Sequence, residues 1–118
     1  MSSKDPYAMV RDFHEKFELF VNRDNRELQS ARVRHMQEEL DEYKTAIKES
    51  NREQQLDALV DLVYVALGTA HYEDFDFNEA FKRVHEANMK KVRKPSKRSQ
   101  WDVVKPEGWV APDIKDCI

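Results

Sequence analysis

Residues 56–70 constrain this chain more than any other stretch. Leu56, Leu59, Val60, Leu62, Val63, Val65, Ala66 and Leu67 nearly encircle a helix expected over residues 52–72, and a helix apolar on most sides is buried on most sides. Two carboxylates, Asp57 and Asp61, sit inside this run four residues apart and so share one helix face. An ionised carboxylate in such surroundings is costly unless something positive compensates it. One helix earlier, Glu38, Glu39 and Glu42 also project together. Hard divalent cations such as Mg²⁺ are held by oxygen ligands of this kind. Five carboxylates on neighbouring helices therefore predict a metal site. The bland alternative for Glu38, Glu39 and Glu42 is a solvated face near Lys44 and Lys48; Asp61 lies too far inside its helix for that explanation.

Around this centre the chain reads as all-α. It has 118 residues, room for a single domain over 1–118, and 2 glycines with 4 prolines in a chain 36% charged argue against a turn-rich β fold. Asp5-Pro6 is a helix start, and the apolar stripe of Met9, Val10, Phe13, Phe17, Phe20 and Val21 extends that helix to about Asn22. A second helix is expected over about 27–47, with Leu28, Ala31, Met36, Leu40, Tyr43 and Ile47 inward. Ser50 or Asn51 caps the third, and a fourth runs from Phe77 to about Lys90 on Phe77, Ala80, Phe81, Val84 and Met89. The helical core spans about 5–91. An irregular, basic, Trp-containing tail follows over 92–118.

Net charge is −3 and the pI near 5.8, so nothing global predicts nucleic-acid binding. The segment before Tyr7 lacks the apolar core of a signal peptide, and no stretch approaches the ~20 uncharged apolar residues of a membrane span. Lone Cys117 fits a reducing compartment. The expected location is the cytoplasm, of a host cell if the chain is phage-encoded.

Arg34-His35-Met36-Gln37-Glu38-Glu39-Leu40-Asp41-Glu42-Tyr43, then Asp57-Ala58-Leu59-Val60-Asp61-Leu62-Val63-Tyr64-Val65-Ala66-Leu67-Gly68, resembles the all-α NTP pyrophosphohydrolase superfamily, which includes the MazG proteins, dimeric dUTPases and phosphoribosyl-ATP pyrophosphohydrolase. Its hallmark is ExxE on one helix and ExxD on the next. Glu39 and Glu42 meet the first half. In the second, Asp61 fills the last position but Ala58 stands where the Glu belongs, with Asp57 one residue earlier. His85-Glu86-Ala87-Asn88-Met89-Lys90-Lys91, Lys105-Pro106-Glu107-Gly108-Trp109 and Pro112-Asp113-Ile114 resemble the C-terminal signature of the short MazG-like branch, which has many phage-encoded members.

The resemblance implies a four-helix MazG-like bundle assembled as a homodimer or dimer of dimers, with nucleotide sites near the subunit boundary. It implies Mg²⁺-dependent hydrolysis of a (d)NTP to (d)NMP and pyrophosphate, with Mn²⁺ able to substitute, on deoxynucleotides and with purines among them. Glu38, Glu39, Glu42, Asp57 and Asp61 would hold metal, and one of Glu38 and Glu39 would be the general base. Asn88 and Lys91 would contact sugar or phosphate, and Lys105 would neutralise phosphate from a closing tail. Tyr64 either lines the sugar pocket or belongs to the core, and Trp109 either anchors the tail or approaches the base. Phosphoribosyl-ATP is the lesser substrate alternative, because the tail follows the MazG-like branch. A second alternative is a nucleic-acid-binding module, with Lys94, Lys97, Arg98 and Lys105 as basic groups and Trp101 and Trp109 as stacking platforms. His14, His35 and His71 show no metal-like spacing, and His85 reads as structural.

Overall fold

The computed structural model describes residues 4–118; Met1–Ser3, part of the segment expected to lack a signal peptide, lie outside them. The chain is all-α, with helices α1 (Pro6–Lys16), α2 (Arg26–Lys48), α3 (Arg52–Tyr72) and α4 (Phe77–Asn88). Two-residue strands β1 (Val92–Arg93) and β2 (Val103–Val104) pair antiparallel, Val92 opposite Val104, and a 3₁₀ turn covers Lys115–Cys117. Two compact units divide the chain at Phe75/Asp76. Among the described residues no helix is long and apolar enough to cross a membrane.

Each helix begins on an Asx cap. Asp5, Asn25, Asn51 and Asp76 accept from the amides of Ala8, Leu28, Gln54 and Glu79 at 2.8, 2.9, 3.1 and 3.3 Å, each satisfying an amide that the helix itself leaves unbonded. Asn51 rather than Ser50 caps α3, because Ser50 occupies the left-handed region at φ 53°.

In the first unit α3 packs against both α1 and α2. The contact surfaces are small: Ala46 of α2 and Ala58 and Ala70 of α3 are buried, and an added Cβ at Gly68 would stand 2.9 Å from both Arg32 Nη2 and His14 Nε2. Arg32 reaches from α2 to α3, donating through Nη2 to the Val65 carbonyl (2.8 Å) and through Nε to Thr69 Oγ1 (3.0 Å), with its guanidinium over the Tyr72 ring. Tyr7 stacks on His71 with ring centroids 3.9 Å apart and donates its hydroxyl to the Phe75 carbonyl at 2.8 Å. Burial is the main influence holding the His14 imidazole below its ordinary proton affinity.

Two expectations change. Helix α1 ends at Lys16, not near Asn22, so Phe20 and Val21 lie beyond it. Glu18 turns left-handed at φ 56°, and the Leu19 amide returns to the His14 carbonyl at 2.8 Å, closing the end with the six-residue bond of a Schellman turn. Apolar spacing continues through the stop, which is why periodicity alone runs the helix on. On α2, the buried residues are Glu39 and Ala46, whereas Leu40 and Ile47 are 47% and 51% exposed. The face turned towards α3 is the one bearing the carboxylates.

The second unit is built on α4. Arg83 pairs with Glu79 (3.0 Å) and, through Nη2, with Asp116 Oδ2 (3.0 Å), while the Asp76 amide donates to the Cys117 carbonyl at 2.8 Å. The C-terminal turn is thereby fastened to both ends of α4's first half.

Candidate metal centre

Glu39 and Glu42, one turn apart on α2, meet Asp61 of α3 with one carboxylate oxygen from each within 4.8 Å of the others. Glu39 is only 9% exposed, and its Oε2 is buried without a hydrogen-bond partner. Burial, then hydrogen bonding to and charge on Glu42, followed by the charges of Asp61 and Glu38, push the Glu39 carboxyl up to about 7. Asp61 is also raised, by burial first and next by the charge of Asp57. Carboxylates this close, two of them desolvated, cannot all be ionised cheaply without a positive partner.

Those observations fit a hard divalent cation: an all-oxygen donor set, an orphaned buried oxygen and mutual repulsion that a cation would relieve. Glu39, Glu42 and Asp61 are the groups that would hold it. Asp57 is exposed but close enough to hydrogen-bond Asp61. It lines, with Glu42, Thr45 and Gln54, a cleft of about 610 Å³. Ala58, at the position where the hallmark has Glu, is 2% exposed and packs as a small core residue. Glu38 is exposed and acts on Glu39 through its charge alone. One residue escaped the sequence reasoning. His35 Nε2 lies 3.5 Å from Glu39 Oε1, and the four-residue spacing between them was the available signal.

Tyr64 sits edge-on to Phe13 at 5.5 Å and borders an apolar groove of about 470 Å³ between α1 and α3, along with Met9, Val60 and Val63. In the second unit Trp109 donates Nε1 to the Ala87 carbonyl at 2.7 Å, and Lys91 and Lys105 each place Nζ 5.2 Å from its ring centroid. Trp109 is thus anchored at the end of α4 and accompanied by two cations. Asn88, the last residue of α4, is exposed, and its carbonyl accepts the Lys91 amide at 3.0 Å. Of the tail's basic groups, Arg98 is bound by Asp102 at 2.7 Å, which holds the Asp102 carboxyl down at about 2. Trp101 is 69% exposed with Arg93 over its ring.

Four helices with a carboxylate cluster across two successive ones agree with the all-α NTP pyrophosphohydrolase (MazG-like) superfamily, which the family match identifies. The family model for phosphoribosyl-ATP pyrophosphohydrolase matches residues 10–88, and the chain belongs to that family. It is a pyrophosphohydrolase, acting on a nucleotide phosphoanhydride. No curated protein matches the chain.

Proposed function

We propose that the chain hydrolyses nucleoside triphosphates, deoxynucleotides and purines among them, to the monophosphate and pyrophosphate in a Mg²⁺-dependent reaction that Mn²⁺ also supports. The observation that carries this is the convergence of Glu39, Glu42 and Asp61 around an unpartnered buried oxygen. A divalent cation held by Glu39, Glu42 and Asp61 would offset phosphate charge and acidify a bound water. The water oxygen bonds to the α-phosphorus as its bond to the bridging oxygen breaks, and pyrophosphate departs. One carboxylate of the Glu38/Glu39 pair takes the water's proton. Asp57 substitutes for the missing hallmark Glu by flanking Asp61.

In the same proposal Tyr64 faces the sugar, Asn88 and Lys91 meet sugar or phosphate, Lys105 neutralises phosphate and Trp109 steadies the tail or approaches the base. All of residues 1–118 act as one domain, in the cytoplasm. The apolar faces left open on α3, where Leu56, Val60 and Val63 are 65%, 54% and 52% exposed, are covered by a second copy of the chain. Contiguous apolar exposure of that kind marks interfaces.

Phosphoribosyl-ATP is the second reading, favoured by the family match. That match ends at residue 88, before the Lys91, Lys105 and Trp109 cluster on which the triphosphate reading draws. Each common NTP and dNTP, and phosphoribosyl-ATP, incubated with Mg²⁺ or Mn²⁺ and assayed for pyrophosphate, tests both. Release from triphosphates is expected; turnover of phosphoribosyl-ATP alone would transfer the assignment to the second reading, and release from none would end the first.

A further inference from the structure

His35 stands one helical turn before Glu39 on α2, with Nε2 3.5 Å from Glu39 Oε1 and a side chain that is 46% exposed. The other oxygen of Glu39, Oε2, is buried without a hydrogen-bond partner. The two oxygens of one carboxylate therefore have different surroundings. We propose that His35 is a positioning residue of the metal centre, whose Nε2–H holds Oε1 of Glu39 and reserves Oε2 for a divalent cation. This rests on the metal-centre reading above and adds the group that orients its most buried ligand.

A metal-binding carboxylate left free to rotate spends its time in several orientations; one oxygen tethered by a donor leaves the other aimed, and losing such an outer partner characteristically weakens a site. The 3.5 Å separation is longer than an ordinary N–H···O bond, so holding Oε1 requires the half-exposed His35 side chain to move towards it. The same helix already makes the equivalent contact. Gln37 donates Nε2–H to Asp41 Oδ1 at 3.0 Å across an identical four-residue spacing. A neutral amide at position 35 can therefore take over the donor role, whereas a methyl cannot.

The test uses the full chain, with Mn²⁺ titrated into free protein at about pH 8 and followed by the paramagnetic resonance of the unbound ion. His35→Ala should bind Mn²⁺ about tenfold more weakly than the wild type, with an unchanged melting temperature in chelator. His35→Gln should recover affinity to within about threefold of wild type, and kcat should follow the same order. Wild-type affinity in His35→Ala would overturn the proposal, as would His35→Gln binding as poorly as His35→Ala. Wild-type protein that binds no Mn²⁺, or Glu39→Gln that binds it as well as wild type, would instead overturn the metal centre itself and this proposal with it.

Discussion

Replacing Glu39 with glutamine should make the metal-free protein more stable while destroying its activity. Glu39 is nearly buried beside Glu42 and Asp61, and its carboxyl is pushed from an ordinary 4.5 up to about 7, by burial first. For a carboxyl raised in the folded state, the stability contribution is complete below the unfolded value. It declines as the unfolded chain ionises first, and has been lost once pH passes the folded value. A tenfold change in a proton equilibrium corresponds to ~1.4 kcal/mol, so the interval from 4.5 to about 7 caps the cost of an ionised Glu39 at ~3.5 kcal/mol. Glu42 is exposed, and solvent beside the cluster reduces the expected gain to about 1–2 kcal/mol. Glutamine keeps the shape and removes the charge. In chelator at about pH 8, Glu39→Gln should melt about 3–8 °C above wild type, and at about pH 4.5 the two should nearly coincide. Protein concentration is held constant, so that any self-association acts on both proteins alike. Adding Mg²⁺ should raise the wild-type melting temperature and leave the variant unmoved. A variant no more stable than wild type at the higher pH, or more stable by an equal margin at both, would refute the idea that Glu39 is a strained carboxyl relieved by a cation.

Gly68→Ala should cost about 1–3 kcal/mol in urea unfolding, because the new methyl would stand 2.9 Å from Arg32 Nη2 and His14 Nε2. Arg32 is anchored to Val65 and His14 contacts the Leu19 carbonyl at 3.2 Å; an unchanged midpoint would show that both side chains yield freely. Asp57→Asn and Asp61→Asn should each abolish pyrophosphate release with helicity intact by circular dichroism. Ordinary turnover in Asp57→Asn would leave Asp61 as the sole contribution of α3. Light scattering at micromolar concentration should give at least a dimer, and Val63→Glu, at a position 52% exposed in the single chain, should shift it towards the 14.0 kDa monomer and lower activity. A fully active wild-type monomer would refute the covered face.

The four helices, and the starts of α1 at Asp5 and of α3 at Ser50 or Asn51, were legible in the sequence because their causes are local. Asp5, Asn25, Asn51 and Asp76 accept from amides three residues ahead, and α3 spans the residues that its apolar run marks out. The shared face of Glu39 and Glu42, and that of Asp57 and Asp61, likewise follows from helical spacing alone. Spacing does not say which face meets which neighbour. Leu40 and Ile47 look inward by periodicity, yet Glu39 and Ala46 are the buried residues of α2. The small surfaces at Ala46, Ala58 and Gly68 bring α1 and α2 close to α3, and close packing there sets the rotation of each helix. That rotation, a property of three helices together, gathered Glu39, Glu42 and Asp61 out of five candidate carboxylates and left Glu38 in solvent. The end of α1 depended similarly on the left-handed turn at Glu18 and the His14 contact behind it, neither of which hydrophobic periodicity encodes. Hydrophobic pattern and capping residues act within a few positions of themselves; burial, proton affinity and the choice among equivalent carboxylates depend on groups distant in sequence, and only packing brings those together.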